Sequence, residues 1–445
     1  MYINFTTIKK FFKSTALYFI IIVIYRMLID KVFEVILAPI YGNVYNYSVS
    51  FNIQNILLSW VILFTFAMMT RNMFYAEKGV SNVVIFLIFL LSIIPFTSLI
   101  KYGNFTSEYV FANTAYFAFL YFFTFIFRNK IKVKKFKSVN YFPPKYKIGL
   151  ICVIFFLVAL LVCGVYSGFR INFNLDSVYD LRTEAGTYNL PTIMVYLYNW
   201  ATWINPFMIV YYIRKKKHSF VLILFITQIF MFGYNGMKGP FFFAVIAMMI
   251  NYLLPKIKMS SLNSFALYGL SGLTGGSLLL YLINGSYALA QTIINRLGMI
   301  TNMISYAYYN FFTQYTPDYF RSSFLRYFGF QSPYDNISHM ISIWFFGFDQ
   351  GANNGLISDA ITNLGLVGIV IMPIIIAFVL KLLDLYTDNL DSRISVCIAL
   401  YMTIMILSMF ILQIFLTGGL LVLIIIFYWM SRENETSLTK MGVDK

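Results

Sequence analysis

An all-α, polytopic bundle of about twelve membrane-crossing helices is the fold class this chain predicts, and three observations predict it. Of its 445 residues, 60% are hydrophobic and only 11% are charged. A soluble domain carries roughly 25% charged residues, so this chain cannot cover a water-facing surface. Apolar runs near the roughly 20 residues that a crossing helix needs recur from one end to the other. The basic residues lie mostly between those runs. Length alone allows about three soluble domains, but the even spread of apolar runs makes 1–445 a single transmembrane domain.

The runs fall at 15–39, 53–70, 80–100, 108–127, 148–168, 191–213, 218–234, 239–255, 262–284, 362–381, 394–412 and 415–430. Lys9, Lys10 and Lys13 precede the first as in a signal peptide, yet no small-residue cleavage site follows, so it reads as a retained span. Arg26, Asp30, Lys31 and Glu34 interrupt it. Arg26 with Asp30, and Lys31 with Glu34, are at helical pairing distance. The expectation is a span whose outer end already lies in the interface.

Orientation follows from the cations, because cytoplasmic segments collect Lys and Arg. With both termini inside, 24 of the 33 Lys and Arg fall on inner segments, including RNKIKVKK from Arg128 and RKKK from Arg214. The inner loop 128–147 ends in a Pro143-Pro144 turn and reads as a solvated, headgroup-facing loop. The formal charge of +16 therefore implies a lipid surface and not nucleic acid. Cys152, Cys163 and Cys397 all sit inside apolar runs, where they read as buried thiols, not as disulfides or metal ligands.

Two outer segments break the pattern of short connections, 169–190 and 285–352, and long loops of this kind commonly carry function. The second is 68 residues long and 18 of them are aromatic. So many rings must pack on the membrane surface, on themselves or over a cavity. Tyr306, Tyr309, Tyr315 and Trp344 offer apolar faces with polar tips that suit sugar rings. Aromatic anchoring at the interface explains them equally well.

Arg182, Lys238, Arg296, Arg321 and Arg326 lie on the face expected to be poor in cations. Such cations recruit anions, and Arg grips phosphate oxygens in a bidentate way; a lipid diphosphate is the expected ligand. The bland alternative for each is a surface ion pair, with Asp180 or Glu184 as a partner for Arg182. Lys238 has its own argument. Only 38 residues separate Lys217 from Lys256, so each arm of the hairpin is about 26 Å long at about 1.5 Å per residue. The turn YNGMKGP then sits at or below the outer boundary, where a lysine needs water or an anion.

His339 is the outer of two histidines and a candidate general base. A lone histidine is more often structural. Outer carboxylates compete for the same role: Asp176, Asp180, Glu184, Asp318, Asp335, Asp349 and Asp359. There is no metal-ligand spacing, no phosphate-cradling Gly-rich loop and no serine-nucleophile elbow. Any transferase here takes an already activated donor, and no cofactor or metal is expected.

ANNGLISDAITNLGLVG, Ala352 to Gly368, runs directly into an apolar span. It resembles the late outer-loop motif of Wzy-type O-antigen and capsule repeat-unit polymerases. MKGP at Lys238 resembles that group's short basic-Gly turn, with lysine where arginine is commoner. DLRTEAG at Arg182 and INRLG at Arg296 are similar to its two arginine sites. Related ligases carry a His-Asn pair where this chain has Asn353-Asn354, a departure that favours polymerase over ligase and leaves the base unassigned.

The resemblance implies a metal-independent, GT-C-like membrane glycosyltransferase of the bacterial cytoplasmic membrane. It would join undecaprenyl-diphosphate-linked repeat units into a surface polysaccharide, alongside the pathway's flippase and chain-length regulator. Arg182, Lys238 and Arg296, with Arg321 and Arg326, would hold the diphosphate. His339, Glu184 or Asp359 would accept the proton. The loop aromatics, with Asn353 and Asn354, would hold the glycans. A flippase for the same units, or a ligase, is the alternative.

Overall fold

A computed structural model describes residues 5–131, 148–173, 181, 184–253, 259–323, 325–388 and 390–440. Among them every regular element is helical. The chain begins with α1 (Phe5–Val32), a π-helical step at Phe33–Leu37 and α2 (Ala38–Tyr45). α3 (Ile53–Phe74), α4 (Val80–Lys101) and α5 (Ser107–Asn129) follow. Next come α6 (Ile148–Tyr166), α7 (Thr192–Arg214), α8 (His218–Asn235) and α9 (Lys238–Leu253). α10 (Met259–Asn284) leads to a π-helical segment, Ala290–Met299, and α11 (Ile300–Phe312). Last are α12 (Ile337–Phe346), α13 (Ile357–Leu364), α14 (Gly368–Thr387), α15 (Ser392–Ser408), α16 (Ile411–Leu416) and α17 (Leu420–Lys440).

Each of the twelve apolar runs carries helix. Seven helices among the described residues are long and apolar enough to cross a membrane: α3, α4, α5, α6, α8, α10 and the stretch Ile357–Thr387. α4 has 22 residues, which is about 33 Å at about 1.5 Å per residue. Local chemistry sets the ends. Asn52 caps α3 by accepting from the Gln54 N–H at 2.9 Å. Asn46 closes α2 in the left-handed region, at φ 56°.

The helices gather into two compact units. The first comprises Met1–Lys132, Met259–Lys381 and Met402–Ile411; the second comprises Val133–Lys258, Leu382–Tyr401 and Leu412–Lys445. In the second unit α7 is central and packs on α6, α8 and α9. Its buried polar groups are paired: Asn205 donates to the Leu224 carbonyl and to Gln228, and the Tyr198 hydroxyl donates to the Met231 carbonyl. Cys152, Cys163 and Cys397 are buried free thiols.

In the first unit α4 is the central helix, apolar all round and 94% buried along its apolar window. Arg71 donates to Thr15, Arg128 to Asn82, and Lys381 to the Arg128 carbonyl. These basic residues therefore share one end of the unit. The segments joined by Asn46 to Phe345, Ser48 to Asn104 and Tyr47 to Asn295 share the other.

The charged residues of α1 lie in two settings. Lys31 is exposed and pairs with Glu34 at 3.1 Å. Arg26 is 1% exposed and forms an ion pair with Asp30. Its Nε and Nη2 donate to the Thr97 hydroxyl and carbonyl, each at 2.8 Å. Asp30 also accepts from Ser98 at 2.6 Å and from Lys101 at 2.9 Å. The helical pairings Arg26–Asp30 and Lys31–Glu34 are both present. α4 supplies the remaining partners, and no local pattern in α1 announces them.

Candidate active site

α12 starts at the cap Asn336, whose side chain accepts from the His339 N–H. That puts His339 in the first turn. The helix ends at Gly347 in the left-handed conformation, at φ 78°, a closure that glycine adopts freely. The chain then turns back along the helix it has just left. Ser342 donates to the Phe348 carbonyl at 2.9 Å, and the Ala352 N–H donates to the Ser338 carbonyl at 3.1 Å. This return lays Asp349 beside His339, with Nδ1 and Oδ1 2.5 Å apart. The side chains are 45% and 67% exposed, so the pair is open to solvent.

Gly351 follows. A Cβ built on it would lie 3.9 Å from His339 Nε2 and 3.2 Å from Asn353 Nδ2. The second imidazole nitrogen and the exposed Asn353 amide thus both border the solvent-open surface at Gly351, where even a Cβ would crowd the amide. Chemically, the arrangement offers a proton acceptor at Nε2, a carboxylate behind it at Nδ1, and an amide at the side.

The segment just downstream is structural. Asn354 is buried, and its amide donates to Thr301 O, Ser305 Oγ and Ser358 Oγ at 2.8, 2.8 and 3.1 Å. Gly355 packs so tightly that a Cβ would fall 2.1 Å from the Ile406 carbonyl oxygen, and at Gly368 one would fall 2.1 Å from that of Ala360. Asp359 is buried and accepts from the Ile411 N–H at 2.6 Å and from Asn363 at 2.8 Å. Its carboxylate anchors the chain at 411. Of the candidate bases in this region, Asp318 and Asp359 are closed off, whereas His339, Asp335 and Asp349 stand open.

The aromatic residues divide. Residues 290–312 form a continuous helical run that is core, not loop. Gly298 meets Pro95 of α4, and Asn302 donates to the Ser92 carbonyl at 3.0 Å. Tyr306 and Tyr309 pack on Tyr109. Tyr308 is buried; its hydroxyl donates to the Ala352 carbonyl at 3.1 Å, and burial pushes its pKa up, so it remains a donor. Tyr315 stacks on Phe311 at 4.4 Å, and Trp344 meets the same ring edge-on at 5.3 Å. Of Tyr306, Tyr309, Tyr315 and Trp344, the last two are exposed.

The cations fall in different settings. Arg296 is exposed on the π-helical segment, beside Asn295, whose side chain accepts from the buried Tyr47 hydroxyl. Arg321 is drawn into its own turn: Nε donates to the Asp318 carbonyl at 2.7 Å and Nη2 to the Pro317 carbonyl at 3.0 Å. Arg326 is exposed, lies over the Tyr327 ring and donates to its hydroxyl. Asp318 is a buried staple that accepts from Ser322 and Ser332.

In the second unit Lys238 is the first residue of α9, with two residues between it and the end of α8. Gly236 turns the chain in the left-handed region, and Asn235 accepts from the Met237 N–H at 2.8 Å. The short hairpin read from the sequence is therefore present, with helices of 18 and 16 residues. Glu184 is exposed and pairs with Arg170 at 3.2 Å. Arg182 lies outside the described residues.

Sequence reasoning named Asp349 only as one carboxylate among seven. Ten residues from His339 and across a helix end, it shares no helical or strand period with it. Gly347, the stop that reverses the chain, is the one local signal. Together the elements define an all-helical protein with several helices able to cross a membrane and a solvent-open His–carboxylate pair. Against family models, curated proteins and solved structures, no match was found.

Proposed function

We propose that this chain is a multi-pass glycosyltransferase of the bacterial cytoplasmic membrane that joins undecaprenyl-diphosphate-linked oligosaccharide units into a surface polysaccharide. The observation that carries this reading is the convergence of His339, Asp349 and Asn353 on one open space. That space adjoins the segment whose sequence resembles the late polymerase motif, and Tyr315 and Trp344 stand exposed on neighbouring elements of the same unit. His339 accepts the proton of the attacking sugar hydroxyl as general base. The donor's sugar–phosphate bond breaks, and its electron pair leaves on the diphosphate. Arg296 supports the leaving group; for Arg182 and Lys238 the same role rests on the sequence resemblance alone. Arg321 is a weaker candidate, because its guanidinium already serves two backbone carbonyls. The shared end of Arg71, Arg128 and Lys381, with Thr15 of α1 beside Arg71, supports placing that end of the first unit on the cytoplasmic side.

The decisive experiment supplies purified protein in vesicles with lipid-linked repeat units. New glycosidic bonds between units are expected. Leaflet transfer without bond formation would sink the reading and favour a flippase. One observation speaks for that second reading: the buried Arg26–Asp30–Lys101 cluster, since charges within membrane helices often mark a transport path. A ligase is told apart in cells lacking the protein. Single-unit products mark a polymerase, and unattached long chains mark a ligase.

A further inference from the structure

We propose that Asp349 is a positioning residue that holds His339 in the Nδ1–H tautomer, so that Nε2 presents its lone pair to an acceptor-sugar hydroxyl on the open surface at Gly351, beside Asn353. This rests on the glycosyltransferase reading above and adds to it a residue, a tautomer and an acceptor subsite.

The geometry supplies each part. A neutral imidazole carries one proton, and the nitrogen that bears it is chosen by the partner of the other. Nδ1 lies 2.5 Å from a carboxylate oxygen, and a carboxylate accepts only. The proton therefore belongs on Nδ1, which leaves Nε2 as the acceptor. Nε2 is the atom that borders the space at Gly351.

Both sides of the pair are built into the backbone. The Asn336 cap and the Asn46 bond to the Phe345 carbonyl at 2.8 Å fix the two ends of α12. The Ser342–Phe348 and Ser338–Ala352 bonds fix the returning chain. Tyr45 packs against Phe346 and Phe348 behind that return. The pair is therefore held by tertiary bonds on both strands of the reversal, unlike two long side chains meeting by chance on a surface.

The chemistry balances. The acceptor hydroxyl gives its proton to Nε2 as its oxygen bonds to the anomeric carbon of the donor. The bond from that carbon to the diphosphate oxygen breaks, and the electron pair leaves with the diphosphate. The imidazolium then has protons on both nitrogens and faces Asp349. Its exposure lets the Nε2 proton pass to water. Asn353 orients the acceptor by offering a donor and an acceptor to neighbouring hydroxyls. Gly351 lets the Asn353 amide lie close: its φ is not in the left-handed region, so the lack of a Cβ there does not serve the backbone, and a side chain would crowd Asn353 beside Nε2.

Two measurements test this on the full-length protein in lipid nanodiscs. The chain has two histidines, so ¹⁵N-histidine labelling, with His218→Gln to assign the second, reads the His339 tautomer without any substrate. A single Nδ1–H form is expected. Asp349→Asn should abolish that preference, and Asp349→Glu should restore much of it. With lipid-linked units, Asp349→Asn should lower kcat by about tenfold or more, the scale of losing a histidine-orienting partner, with KM nearly unchanged. Gly351→Val should leave the tautomer intact yet block transfer. A tautomer that Asp349→Asn does not alter overturns the positioning role, whatever the enzyme does. A tautomer that alters while transfer is equal in wild type, Asp349→Asn and Gly351→Val overturns the acceptor subsite, although the pair itself is real. Absence of any transfer by wild type, with the tautomer as expected, is the failure of the glycosyltransferase reading and takes the subsite with it.

Discussion

Two charge pairs in the first unit make opposite uses of the same chemistry. Arg26–Asp30 lies inside the helices, with side chains 1% and 7% exposed. Thr97, Ser98 and Lys101 take up most of its further donors and acceptors, and the Arg26 guanidinium stands 5.6 Å over the Trp60 ring. His339–Asp349 lies on the rim, and its outer nitrogen faces an open space. A buried pair must satisfy its whole hydrogen-bonding capacity, or desolvation exceeds the attraction. A rim pair keeps capacity in hand, which a reaction can use. Charge pairing alone thus says little about role; the number of partners already committed says more.

The largest effect should come from breaking the buried pair. Arg26→Ala removes the closer of the two cations that balance the buried Asp30 and leaves a cavity beside Thr97, and should cost about 3–5 kcal/mol, read as lost folded yield and a lower unfolding temperature in detergent. An Arg26→Met, Asp30→Leu double variant should recover part of that loss if the cluster is structural. If the double variant is well folded but inactive in leaflet transfer, the flippase reading gains and the contrast between the two pairs fails.

His339→Ala comes next and should behave oppositely. Transfer should fall by about 10²–10⁴-fold, the range for loss of a general base, while the unfolding temperature barely moves. Unchanged transfer would reduce the rim pair to a surface contact.

Gly355→Ala and Gly368→Ala sharpen the comparison at the segment between them. Each Cβ meets a backbone oxygen at 2.1 Å, so overpacking should cost about 1–3 kcal/mol. Both variants should lose stability and activity together, unlike His339→Ala. Unfolding temperatures equal to wild type would show that the late segment is not packed as described.

Arg296→Ala should have the smallest effect. It is exposed, so stability should be unchanged, and loss of one charged contact to a diphosphate should weaken apparent substrate affinity by roughly tenfold. An equal effect from Arg321→Ala would argue against ranking Arg321 below it, since Arg321 is committed to its own turn.

Composition and apolar run length were enough to read helices from the sequence. Each run carries one, because about 20 apolar residues have no stable arrangement except one that satisfies its own backbone. The short hairpin at Lys238 was legible for the same reason, as a matter of counting residues between basic loops. Tertiary structure alone decided the roles of charged and polar side chains. Arg26 and His339 look alike in sequence, each a nitrogen-bearing side chain with carboxylates elsewhere in the nearby chain. What separates them is how many groups from other helices close around them. Asn353 and Asn354 are neighbours in sequence, yet one is exposed and the other is locked to Thr301, Ser305 and Ser358. Asp349 reached His339 only through the reversal at Gly347. Run length is a local property of the chain; partner count is a property of residues brought from afar, and no period in the sequence records it.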